Sequence, residues 1–231
     1  MTANLSIDRT VLPVQSKGLM SEKITGYVML VGNGAVGKTT VSKVLALTNQ
    51  GNKPNQDILS SIRKTNNLEF EFITTQQQIG HKDYSVTLQF LVPPGQREDD
   101  GDPSGRSFEE VIDIFRPTIH RLDVVLFTYD MTSMASFHDL VYWIDGVGDL
   151  LNEASHFILL GTHLDREDDL EITRGDIEEG LQYLAGEMKA MLPSWKGNFA
   201  RLEVSNLTGE NLDSLLYYLA GSVVSSRHMI P

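Results

Sequence analysis

Eight consecutive residues, Gly32-Asn33-Gly34-Ala35-Val36-Gly37-Lys38-Thr39, constrain this chain more than any other feature. They follow the pattern of a glycine, four free positions and Gly-Lys-Thr, and their neighbours give that pattern a structural context. Residues 24–31 form an apolar run that ends abruptly in glycine, and residues 41, 44, 45 and 47 repeat apolar side chains as one buried helix face does. Strand, glycine loop and helix in immediate succession are the opening unit of an α/β fold. The rest of the chain continues the alternation. Residues 70–79 and 84–92 alternate apolar and polar around residues 80–83, which predicts an antiparallel hairpin. Residues 93–105 hold three Pro and three Gly and read as a long exposed loop. Residues 124–129 and 157–161 are short continuous apolar runs, as in central parallel strands covered on both faces. Helical spacing recurs over 137–151 and 177–192, a short strand is expected at 202–204, and a last helix starts over 212–219. The sum is an α/β fold: a mostly parallel six-stranded sheet with one antiparallel edge strand and helices on both faces.

Composition narrows the function classes. The 231 residues suit one large domain or one domain with insertions, at about 150 residues per domain. With 41% apolar and 22% charged residues, the chain has neither a disordered nor a collagen-like composition, and no apolar stretch approaches a membrane span. Acidic residues outnumber basic ones 31 to 19, so the net charge of −12 disfavours nucleic acid as a partner while leaving a local cationic pocket free to bind an anion. The absence of cysteine removes disulfides, thiolate metal sites and thiol nucleophiles. Residues 1–18 lack the apolar core of a secretory signal, which makes a cytoplasmic protein the expectation.

The glycine loop carries the chemistry. Glycines let the backbone wrap closely round a phosphate chain, while successive N–H groups and the helix N-terminus point at the anion. The Lys38 ammonium supplies a charge to the β and γ phosphates, and the Thr39 hydroxyl is a Mg²⁺ ligand. Gly32, Asn33, Gly34, Ala35, Val36, Gly37, Lys38, Thr39 and the adjoining Thr40 are therefore the predicted phosphate-binding set. Such a loop does not by itself choose among GTPases, ATPases and small-molecule kinases.

Other segments make that choice through a resemblance. Phe115-Arg116-Pro117, the run Val124-Val125-Leu126-Phe127-Thr128-Tyr129-Asp130, Ser136-Phe137 and Trp143-Ile144-Asp145 together resemble the Ras-like small GTPases, and within them the Rab branch. The likeness extends from Ile24 to about Leu219 and implies the P-loop NTPase fold, GTP/GDP as ligand and Mg²⁺ as cofactor. Gly161-Thr162-His163-Leu164-Asp165 resembles the guanine-recognition motif, in which the Asp accepts from the ring N1–H and the exocyclic amine of guanine. His163 stands where the family has a Lys that stacks on the base. Ser205-Asn206-Leu207 resembles the last loop of the family, whose backbone supports the guanine carbonyl. Thr65-Asn66-Asn67-Leu68-Glu69-Phe70 fits the Rab-like first switch, and so Thr65 is the expected second Mg²⁺ ligand, with Thr74 and Thr75 as alternatives. Thr65 follows Lys38 by 27 residues, more than in compact members, and Arg63 beside it is a weaker candidate for a charge-neutralising arginine.

The second switch departs from the family. The usual Asp-x-x-Gly-Gln is Val92-Pro93-Pro94-Gly95-Gln96 here, so that Gly95 still offers its N–H to the γ phosphate and Gln96 the amide that orients the attacking water. The Asp that holds a metal-bound water is absent. A similar Pro-Gly-Gln pattern occurs in prokaryotic polarity GTPases. Slow hydrolysis is one implication. Its rivals are a pseudo-GTPase interaction module that binds nucleotide without cycling, and a P-loop ATPase or kinase. The expected organisation is an N-terminal extension over 1–22, one GTPase domain over 23–225 with insertions around 48–64, 97–114 and 166–197, and a tail over 226–231. An effector, an exchange factor or an activating protein is the implied partner class. Residues 225–231 contain no prenylatable Cys, which implies no direct lipid anchor.

Overall fold

A computed structural model describes residues 21–97, 105–119 and 121–229. Most of the expected N-terminal extension, the acidic stretch 98–104 and the last two residues lie outside these.

Strand β1 (Glu22–Val31) lies in the middle of a six-stranded sheet, flanked on one side by β3 (Lys82–Val92) and on the other by β4 (Val124–Asp130), both parallel to it. Next to β4 come β5 (His156–Thr162) and β6 (Phe199–Glu203), also parallel. The single antiparallel pair is β2 (Glu69–Ile79) with β3, and β2 closes one edge, giving the order β2-β3-β1-β4-β5-β6. The expected six-stranded α/β sheet is thus present. The hairpin turn is tighter than expected. Ile79 pairs with Lys82, leaving only Gly80-His81 between the strands, and Gly80 takes φ 63°, which two-residue hairpin turns require at this position.

Period-two alternation splits the strands' apolar side chains between two faces. Val28, Leu30, Leu88, Phe90, Leu126 and Ile158 face one way and meet helix α1 (Lys38–Asn49) and the C-terminal helix. Met29, Val31, Leu91, Val125, Phe127 and Phe157 face the other way and form the second core with helices from the middle of the chain. Burying each such side chain contributes roughly 1.5–3 kcal/mol, so the sheet with both faces covered is the main source of stability.

Three helical regions differ from the expectation. A short helix, α2 (Gln56–Ser61), lies inside the expected insertion 48–64, started by the Asn55 side chain accepting from Ile58 N. Helix α3 (Phe108–Phe115) occupies the second half of the expected insertion 97–114, and its Phe108, Val111 and Ile112 are core residues rather than surface decoration. Pro93 and Pro94, expected in an exposed loop, are buried. The helical period over 137–151 is two helices, α4 (Met134–His138) and α5 (Leu140–Val147), interrupted at Asp139 and followed by a 3-10 turn. Helix α6 (Arg174–Met191) begins at a capping box formed by Thr173 and Asp176, and α7 (Leu212–Met229) ends the described chain.

Helix α7 is tied to the sheet where β4 begins. The fully buried Asp123 carboxylate accepts four hydrogen bonds, from Tyr27 N at 2.8 Å, Arg121 Nε at 2.9 Å, Ser226 Oγ at 3.1 Å and Arg227 Nη2 at 2.8 Å. Each oxygen takes two donors.

Candidate phosphate-binding site

Open α/β sheets bind ligands beyond the carboxyl ends of their strands, at the point where the strand order reverses. In this sheet that point is β1, because the chain builds β3 on one side of it and β4 on the other. The glycine loop leaves β1 at this place. Gly32 takes φ 143°, and a Cβ there would stand 2.1 Å from the Thr128 carbonyl, so only glycine allows the loop to pass this close to β4. Gly37 (φ 93°) is the last residue before α1, whose N-terminal amides open into the same space.

That space is a cavity of about 420 Å³, lined by Gly34, Ala35, Gly37, Lys38, Thr39 and Thr40 of the loop, by Ile62 to Thr65, and by Pro93, Gly95 and Gln96. Among the described residues its lining includes Lys38, Arg63 and Lys64 and no carboxylate, although the chain as a whole carries a net charge of −12. The Lys38 amine is buried and donates to Gly32 O at 2.6 Å and to Asn33 O at 2.8 Å. Burial strips it of water and lowers its pKa to about 7. Gly95 comes so near that a Cβ would lie 2.4 Å from Lys38 Nζ. Gln96 follows with its amide nitrogen 3.4 Å from where a Cβ on Gly34 would be, and its Oε1 is buried without a hydrogen-bond partner among the described residues.

The segments that resemble the first and second switches both reach the loop. The Thr65 hydroxyl contacts the Thr39 hydroxyl and donates to Glu69 Oε1 at 3.0 Å. Thr74 and Thr75, the alternatives, sit within β2: Thr74 faces Thr87 across the hairpin and Thr75 accepts from Gln77 Nε2, and neither lines the cavity. Among the described residues no group of three or more His, Asp or Glu is placed to hold a metal ion. The adjoining Thr39 and Thr65 hydroxyls offer oxygen ligands of the kind a hard cation that keeps several waters takes.

The segments expected to recognise a base converge from the other side. Thr162 is wholly buried and donates to Val36 O at 2.7 Å, so its side chain props up the phosphate loop from β5. Asp165 accepts from Ser205 Oγ at 2.6 Å, and Ser205 in turn accepts from Leu207 N and Thr208 N. Asn206 is buried, with Nδ2 3.1 Å from a Cβ position on Gly37 and Oδ1 without a partner among the described residues. The His163 ring is held by Asp130, Nδ1 to Oδ2 at 3.1 Å, in a residue whose φ is 60°. Burial alone would raise the Asp130 pKa, but hydrogen bonds from His163 and Thr132 outweigh it and hold it at about 2.

Several supporting residues carry no signature in sequence. Trp143 Nε1 donates to Asn33 Oδ1 at 2.9 Å, and Asn33 Nδ2 donates to Asp139 Oδ2 at 2.7 Å. The same carboxylate oxygen pairs with Arg97 Nη2 at 2.8 Å, while the Arg97 guanidinium lies 4.1 Å from the Tyr142 ring centroid. The phosphate loop and the residue after Gln96 thus meet at Asp139, the break between α4 and α5.

Comparison with known proteins agrees with this geometry. The chain is 30% identical over 105 residues to Ras-related protein SEC4 of Candida albicans, covering 46% of this chain and 43% of that one. It is 35% identical over 75 residues to Ras-related protein Rab-12 of Homo sapiens, covering 32% of this chain and 30% of that one. No protein-family profile matches the chain. The aligned region spans less than half of these relatives. An α/β sheet with a phosphate-type loop after its first strand, and partial similarity to Ras-related proteins, are what this chain has in common with the small GTPases.

Proposed function

We propose that this chain is a guanine-nucleotide switch of the Ras and Rab type, which binds GTP and GDP with Mg²⁺ and hydrolyses GTP slowly unless a partner assists. One observation carries the reading: a cavity whose described lining includes three basic side chains brings together a buried amine, two touching hydroxyls and a glutamine amide. The loop amides and Lys38 would hold the phosphates, Thr39 and Thr65 would hold Mg²⁺, and Gly95 and Gln96 would contact the γ phosphate and the attacking water. When bound, the cation neutralises charge on the transferred phosphoryl group. The chain's own contribution is position and charge. A buried ammonium and oriented loop amides are worth more to a developing negative charge than the same groups in water. Asp165 and the 205–207 loop would select guanine. Loss of the γ phosphate would release the segments around Thr65 and Gln96, and that change is what an effector, an exchange factor or an activating protein would recognise. In this reading the GTPase domain runs over 23–225, and α3 belongs to its core.

The tests are a single-turnover assay and a nucleotide titration. Phosphate release from bound GTP is expected, slowed at least about tenfold by Gln96→Ala, since positioned proton-transfer and water-orienting groups contribute on that order or more. Asp165→Asn is expected to move preference from guanine to xanthine nucleotides. No phosphate release over hours, with Gln96→Ala matching the parent, favours the pseudo-GTPase module. Tighter binding of ATP than of GTP favours an ATPase or kinase.

A further inference from the structure

Val92 ends β3 where the resemblance calls for a metal-supporting carboxylate, and it is buried among apolar neighbours on the α1 and α7 side of the sheet. The antiparallel register places Glu69, the first residue of β2, directly opposite it. Directly opposed residues project to the same face with Cβ atoms about 4.5–5.5 Å apart. A carboxylate thus enters the region from the facing strand. Glu69 Oε1 accepts from Thr65 Oγ1 at 3.0 Å, and Thr65 touches Thr39. Its other oxygen pairs with Lys43 at 3.0 Å, one helical turn beyond Thr39 on α1.

We propose that Glu69 takes over, from the opposite strand, the role of the carboxylate that Val92 lacks, and is the positioning residue of a divalent-cation site at Thr39 and Thr65. This rests on the nucleotide-switch reading above. The argument is one of lone pairs. A hydroxyl has one proton and two acceptor sites, so a Thr65 that gives its proton to Glu69 keeps oxygen lone pairs for a cation. The carboxylate also makes that oxygen more basic and fixes its direction, as partners of metal ligands do. Glu69 adds a negative charge close to a pair of neutral hydroxyls, beside a cavity whose charged side chains among the described residues are Lys38, Arg63 and Lys64. Lys43 works against it, by neutralising the same carboxylate.

This last point separates the proposal from a plain surface ion pair. If Glu69 serves only to pair Lys43, removing either partner has the same consequence. If it serves the cation, the two removals diverge. The experiment loads the full chain with a fluorescent GDP analogue and follows its release across a Mg²⁺ titration, taking the Mg²⁺ concentration that half-maximally retains the nucleotide. Glu69→Gln is expected to raise that concentration by about 10- to 100-fold, the usual cost of removing a metal ligand's carboxylate partner. Adding Val92→Asp to Glu69→Gln should recover most of the loss, and Lys43→Gln should leave the midpoint within twofold or lower it. Glu69 is partly exposed and the exchange is isosteric, so thermal unfolding of the nucleotide-free variant is expected within a few degrees of the parent. Should it nonetheless misfold, Val92→Asp with Glu69 kept decides the matter: a shift under threefold supports a role already filled, and a tenfold tightening overturns it. A Glu69→Gln midpoint within twofold of the parent, or an equal rise in Lys43→Gln, also overturns it. A parent that retains no guanine nucleotide at any Mg²⁺ concentration overturns the switch reading itself, and this proposal with it.

Discussion

The two ends of the sheet treat buried charge in opposite ways. Where β4 begins, the Asp123 carboxylate is saturated: four donors from β1, the segment before β4 and α7 fill both oxygens. Where β1 ends, the Lys38 ammonium has two carbonyls for acceptors and no carboxylate in the cavity it borders, and Gln96 Oε1 and Asn206 Oδ1 are buried without partners among the described residues. The first end spends its polar groups on itself and gains a fixed position for α7. The second leaves side-chain oxygens unpaired among the described residues, as a site that receives a ligand would. Buried charge is therefore a sign of function in this fold only where its partners are missing.

The contrast can be broken from either side. The largest effect is expected at the saturated end: Asp123→Ala leaves Arg121 and Arg227 beside a buried gap, and breaking such a cluster costs about 3–5 kcal/mol. Chemical denaturation should register that loss, while nucleotide affinity measured on the folded fraction stays within about threefold. Lys38→Met is the opposite case. It should weaken nucleotide binding by about a hundredfold, since a charge-assisted contact contributes roughly 3 kcal/mol, yet leave the nucleotide-free protein as stable as the parent or more so.

A pH series sharpens the second comparison. Lys38 titrates near 7 when folded and near the ordinary lysine value of 10.5 when unfolded. Between those values the unfolded chain binds more protons, so the stability that depends on Lys38 is lowest below pH 7 and rises with pH up to about 10.5. Denaturation curves of the parent should show this slope relative to Lys38→Met, and parallel curves would contradict the burial of the amine. The smallest effect belongs to Asp130, whose carboxyl is held at about 2. Its contribution is present above the ordinary carboxylate range and lost as pH falls through about 2. Asp130→Asn should thus lower stability modestly at pH 6 and converge with the parent in strong acid.

Much of the site was legible because it is local. Gly32 to Thr39 lie in one stretch, and Thr65 and Gly95-Gln96 follow from the resemblance; of these, Gly34, Ala35, Gly37, Lys38, Thr39, Thr65, Gly95 and Gln96 line the cavity. Other local signals lie in segments that look irregular by composition. Ser107 and Glu110 form a capping box that announces α3, inside what reads as an acidic insertion. The register of the hairpin was also within reach, because the turn fixes it: a four-residue turn hides the Glu69–Val92 pair, and the two-residue turn at Gly80-His81 creates it.

The sequence by itself determined the succession of the six strands, the helices after the glycine loop and at the end of the chain, the phosphate-type loop and the division of apolar residues between two faces, since each depends on periods of a few residues or on one contiguous motif. Only the tertiary structure decided that Asp139 joins Asn33 to Arg97 and that Asp123 gathers donors from positions 27, 226 and 227. These contacts join residues far apart in the chain. Their partners are set by strand register and helix packing, which no local period encodes.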